Sequence, residues 1–118
     1  METLSVRILN IHCYFYEEND GDEVFLVINK KKVWPVDEKW YRMKAESLEV
    51  DHVIDGFKVN EKVDLEVWDY DYLSPNDYMG KITMLIDKPG GPYTTDMQLA
   101  DPKQIARYSI TWEIIKPK

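Results

Sequence analysis

Trp68-Asp69-Tyr70-Asp71-Tyr72-Leu73-Ser74-Pro75-Asn76-Asp77-Tyr78-Met79-Gly80 is the stretch on which the reading of this chain turns. Just upstream, Val63, Leu65 and Val67 alternate with Asp64, Glu66 and Trp68, the period-two pattern of a half-buried strand. Asp69 leaves the end of that strand and Asp71 shares its parity. A compact turn through Ser74-Pro75-Asn76 then brings Asp77 back toward the first pair. Hard cations such as calcium take about six to eight oxygen ligands, so three carboxylates on one loop supply about half a site. Without solvent or a cation between them, they repel one another. The same residues also suit a solvated turn, because Asp and Asn bond readily to nearby backbone. The spacing of an EF-hand loop is missing.

The period of two recurs on both sides of this stretch. Tyr108, Ile110, Trp112 and Ile114 alternate with Ser109, Thr111 and Glu113. Glu23 to Ile28, Lys81 to Ile86 and the long run from Leu4 to Phe15 also read as strands, and Trp40 to Val53 reads as strand with a less regular pattern. Polar loops separate them at residues 17–22 and 69–76, and Lys88-Pro89-Gly90-Gly91-Pro92 reads as a turn. Asn29 with Lys30, Lys31 and Lys32 reads as a hairpin tip, about eight residues of strand beyond Asp22 and so roughly 25 Å from the aspartates. Asp101-Pro102 has the form of a helix start, with room for one or two turns. Seven or eight short strands predict an all-β chain, an antiparallel β-sandwich forming a single domain over residues 1–118. Val63, Leu65, Val67, Ile110, Trp112 and Ile114 are its expected core. Trp34, Trp40 and Trp112 are expected inside as well, and Trp68 has outward parity.

Val67-Trp68-Asp69-Tyr70-Asp71, followed by Ser74-Pro75-Asn76-Asp77 and Met79-Gly80, resembles the third calcium-binding loop of C2 domains. Gly21-Asp22-Glu23-Val24-Phe25-Leu26-Val27 resembles the exit of that family's first loop, where Gly-x-Ser-Asp-Pro-Tyr-Val leads into a strand. The resemblance implies an eight-stranded antiparallel sandwich whose loops at one end bind calcium and often phospholipid. It implies Asp69, Asp71 and Asp77 as calcium ligands, with the Tyr70 carbonyl beside them and Asp22 from the first loop. At the first acidic position of that loop the chain has Tyr16 instead, with Glu17 next to it and Asp20 as a substitute from within the loop. Two readings stay open: a calcium-binding C2-like module, and a metal-free C2-like module that docks onto proteins, as part of a larger assembly. For docking, Trp68, Tyr70, Tyr72 and Leu73 are the expected contact residues, since aromatic side chains dominate binding hot spots.

Charge and composition narrow the partners. Net charge is −7 over 118 residues, with 15 Lys and Arg against 22 Asp and Glu. That balance argues against nucleic acid, whose binding rests on many contacts from basic residues to phosphate. It also disfavours direct attraction to an anionic membrane. The acidic first-loop tip, Glu17-Glu18-Asn19, is unsuited to entering a bilayer. The single cysteine, Cys13, excludes an internal disulfide and a Cys-rich zinc site. Residues 1–5 lack a basic and apolar leader, so a cytoplasmic chain or a fragment of a longer one is expected. An enzyme is not expected. His12 and Cys13 are neighbours on a strand and point to opposite faces, which is no nucleophile–base pair. Asp51, His52 and Asp55 read as a polar turn.

Overall fold

The computed structural model describes residues 2–117. Ten strands run in the order β1 (Thr3–Phe15), β2 (Asp22–Ile28), β3 (Lys31–Trp34), β4 (Tyr41–Met43), β5 (Ser47–Lys58), β6 (Glu61–Asp69), β7 (Asp77–Ile86), β8 (Gly90–Asp96), β9 (Gln98–Leu99) and β10 (Arg107–Ile115). They form two antiparallel sheets. One has the order β5-β1-β10-β8, and the other β3-β2-β6-β7-β9 with β4 also pairing to β2. The sandwich is the expected one, and the count exceeds eight because of short segments such as β4 and β9.

The core lies between the sheets and follows the period of two. Val63, Leu65 and Val67 of β6 face Ile110, Trp112 and Ile114 of the other sheet's β10, and all six are buried. Ile8 and Ile11 of β1, Leu26 of β2 and Ile82, Met84 and Ile86 of β7 complete it. The odd and even residues of β6 divide as predicted, so Trp68 stands on the outer face, half-buried. It stacks on Phe25 of β2 and tilts against Tyr78 of β7, at ring separations of 6.2 and 5.3 Å. Trp34 and Trp112 are buried, but Trp40 is only half-buried. It lies outside β4, between Tyr70 and the Arg42 guanidinium, 5.2 Å from its ring centre.

Three local expectations differ from the structure. Asp51, His52 and Asp55 belong to β5, where pairing with β1 absorbs them into the sheet despite the left-handed backbone of Asp51, φ 45°. The turn expected at Lys88–Pro92 ends early, because Gly90 already pairs with Ile114 of β10. At Asp101-Pro102 one capped turn forms and no helix: Asp101 accepts the Lys103 amide at 2.9 Å, and its carbonyl accepts that of Gln104 at 3.1 Å. The chain must enter β10 at Arg107, so no room remains for a second turn. The Asn29-Lys30 tip is as expected. Both residues have positive φ, 51° and 67°, which is the backbone of a two-residue hairpin loop. The tip closes the end of β2 opposite Asp22.

Candidate functional site

The loops joining β1 to β2 and β6 to β7 meet at one end of the sandwich. The sequence brings them there because Asp22 opens β2, Asp69 closes β6, and these two strands are neighbours, with Val24 opposite Asp69. Both carboxylates have inward parity at the rim of the core, and only 0% and 3% of these residues is exposed.

Asp22 organises the first loop. Its Oδ1 accepts the backbone amides of Glu17 and Glu18 at 2.9 and 3.2 Å, and its Oδ2 accepts the Tyr108 hydroxyl at 2.7 Å. The loop therefore wraps back over the carboxylate at the start of the next strand. Gly21 makes that reversal possible. Its φ is 100°, and a Cβ there would meet the Met43 carbonyl oxygen at 2.9 Å. Glu17 points elsewhere, with Oε1 accepting the amides of Ile105 and Ala106 at 3.0 and 3.4 Å, so it ties the first loop to the segment before β10. Arg42 holds the loop from the other side, through an ion pair to Asp20 at 3.0 Å.

Asp69 accepts the Glu23 amide at 2.8 Å, and the Tyr70 amide donates to the Glu23 carbonyl at 2.8 Å. Burial, with the facing Glu18 carboxyl and nearby Asp22 adding to it, pushes the Asp69 carboxyl up to about 8 against the pull of the Glu23 amide. Asp69 is thus held mostly in its protonated form near pH 7. Asp22 is also raised, chiefly by burial, with the Tyr108 and amide hydrogen bonds opposing.

Asp71 and Asp77 do not join them. Asp71 caps its own turn. Its Oδ1 accepts the amides of Leu73 and Ser74 at 3.0 and 3.2 Å, and its Oδ2 accepts the Ser74 hydroxyl at 2.6 Å. These bonds hold its carboxyl below the usual range. Asn76 closes the turn by accepting the Asp71 amide at 2.8 Å. Asp77 opens β7 opposite Asp69 and is exposed. The Tyr70 ring packs against Trp40 on the outer face at 6.4 Å. Tyr72 and Leu73 stand out at the tip of the loop, 85% and 91% exposed.

Of the residues the resemblance names as calcium ligands, Asp22, Asp69, Tyr70, Asp71 and Asp77 with Glu17, the Asp22, Asp69, Asp71 and Glu17 carboxylates already accept hydrogen bonds. Among the described residues no three His, Cys, Asp or Glu side chains stand together as a metal-holding group. Three hydrogen bonds fill most of the Asp22 carboxylate, and Asp71 is turned into its own loop. Sequence reading missed Glu18 and Tyr108. Tyr108 has inward parity in its strand, but only the pairing of β1 with β10 places its hydroxyl beneath the first loop.

No family model and no curated protein matches the chain. Among solved structures, a C2 domain of plant Extended Synaptotagmin 1, the one lettered A, is similar over 99% of this chain and 96% of that one, with a TM-score of 0.61 and 10% sequence identity. At that identity the likeness is one of fold, and the chain has the fold of a C2 domain.

Proposed function

We propose that this C2-like domain is a protein-docking module whose loop acids hold the loops in place rather than gather a cation. The engagement of Asp22 carries this reading, with both its oxygens bonded to two amides and a buried tyrosine hydroxyl. A cation drawing on Asp22 competes with those bonds, and each buried donor it leaves unpaired costs about 1–3 kcal/mol. The loop end presents Tyr72 and Leu73 outward, flanked by Trp68 and Tyr70 on the adjacent outer face. A partner with an apolar pocket for the Tyr72-Leu73 tip fits this surface, since aromatic anchors entering a desolvated pocket dominate protein interfaces.

A second reading has one observation behind it. Asp22 and Asp69 are two buried carboxylates at the meeting of two loops, with the Glu18 carboxyl beside Asp69, and a divalent cation competes with protons for such a group. Thermal melts in millimolar calcium and in chelator separate the two readings. The docking module melts at one temperature in both, whereas a cation that binds only the folded state raises it. A photoreactive residue at position 73 then tests the surface. Docking requires that it capture a partner, that Tyr72→Ala reduce the capture without moving the melting temperature, and that the same probe at Lys31 capture none. A calcium-dependent rise in melting temperature, with capture independent of position, overturns the proposal.

A further inference from the structure

One side of the sandwich carries two open edges. Among the described residues β8 pairs only with β10, and β7 meets β9 only at Gly80 and Lys81, which leaves residues 82–86 of β7 unpaired on that side. Other edges are blunted. β5 carries Glu49, Asp51 and Asp55 and is kinked at Asp51 and Gly56, with φ of 45° and 90°. β3 is four residues long and begins with two lysines. Charge, short length and irregular backbone are the usual guards against an added strand. The first part of β8 is guarded too, by Pro92, by Gly91 at φ 112° and by a register shift against β10, but Tyr93-Thr94-Thr95 beyond it is regular, uncharged, aromatic and β-branched.

The surroundings of β8 suit a guest strand. Tyr93 and Thr95 lie on the inward face opposite Trp112 and Ile110. Trp112 donates its Nε1 hydrogen to Thr95 Oγ1 at 3.0 Å, and its ring centre lies 4.9 Å from that of Tyr93. A groove beside the strand is lined by Leu85, Tyr93, Thr95 and Trp112, with Asp87 among its walls. Leu85 and Tyr93 are 46% and 40% exposed. At the other end of β8 a second hollow, floored by Met97 and Tyr108, includes Asp96 and also Arg107, whose guanidinium is turned to the Gln104 and Ala106 carbonyls. Among the described residues neither Asp87 nor Asp96 is in an ion pair.

We propose that β8 is an acceptor edge, taking an extended basic segment of a partner protein as an added strand. Main-chain hydrogen bonds to β8 supply affinity, and alternate apolar side chains cover Leu85 and Tyr93. Lys or Arg at the two ends meets Asp87 and Asp96. The regular stretch from Tyr93 to Asp96 spans roughly 13 Å at ~3.3 Å per residue, so a guest needs about four paired residues and one more at either end. A second copy is the poorer occupant, because two chains of net charge −7 repel.

The test is a titration of isotope-labelled protein with the capped peptide Lys-Val-Thr-Val-Thr-Val-Lys, followed through amide chemical shifts. Shifts confined to β8 and residues 82–86 are expected. Asp87→Lys with Asp96→Lys should weaken binding about tenfold or more at unchanged melting temperature. Thr94→Lys, at an outward position on the edge, should weaken it too. A peptide with alternate amides N-methylated should not bind, since it cannot complete the ladder. No shifts at millimolar peptide, or shifts centred on β3, overturn the proposal. So does a dilution-dependent change at β8 without peptide, which makes a second copy the occupant.

Discussion

Asp22 and Asp69 differ from Asp71 and Asp77 in what their carboxylates face. The first two cap the interior, where Asp22 accepts two backbone amides and a tyrosine hydroxyl and Asp69 accepts a backbone amide. The second two lie in the turn beyond, one bonded to its own loop and one exposed. The same side chain thus does structural work at the rim of the core and local turn work a few residues away. Parity decides between them only as far as the strand runs. β6 ends at Asp69, so the alternation that buries Asp69 no longer governs Asp71.

Replacing the acids separates the pairs by size of effect. Asp22→Ala should cost the most, about 3 kcal/mol or more by urea unfolding, because it orphans two amides and the buried Tyr108 hydroxyl. A cost below that of Asp71→Ala breaks the comparison. Tyr108→Phe removes one bond from the same carboxylate and should cost about 1–1.5 kcal/mol in the same assay.

Asp69 is distinguished by pH. Its folded carboxyl is raised from 3.8 to about 8, so the folded state holds a proton that the unfolded chain has lost across that window. Stability from this group is therefore complete below its unfolded value and is lost as pH rises through about 8. The urea midpoint of the wild type should fall between about pH 6 and about pH 9, and Asp69→Asn should flatten that fall. A wild-type midpoint that rises over this range would show that Asp69 is ionised in the fold. Asp71→Ala should give the smallest shift, close to measurement error in melting temperature, because the turn it caps is open to water.

Much of the sandwich was legible beforehand. The alternations in β6 and β10 report a face against a core, and this is a local signal. The order of the strands and the short segments β4 and β9 were not legible, because they exist only through pairing with distant residues. Asp51 to Asp55 reads as a turn by composition, yet β1 holds it as a strand. At the candidate site the sequence marked Asp22 and Asp69 correctly as residues at the meeting of two loops. The C2 resemblance groups them with Asp71 and Asp77, and neither resemblance nor spacing carries information about which oxygens are already bonded. Glu17 shows the same gap, since the amides it accepts belong to Ile105 and Ala106, nearly ninety positions away.

Cys13 has a consequence of another kind. It is fully buried, burial raises its thiol to about 11, and its amide donates to the Glu46 carbonyl at 2.9 Å. A thiolate is the reactive form, so alkylating reagents find nothing to attack while β1 stays seated between β5 and β10. The rate at which the native chain takes up such a reagent is therefore a clock for the opening of that seam. A second cysteine placed on the surface can carry a fluorophore or spin label while the natural one stays silent.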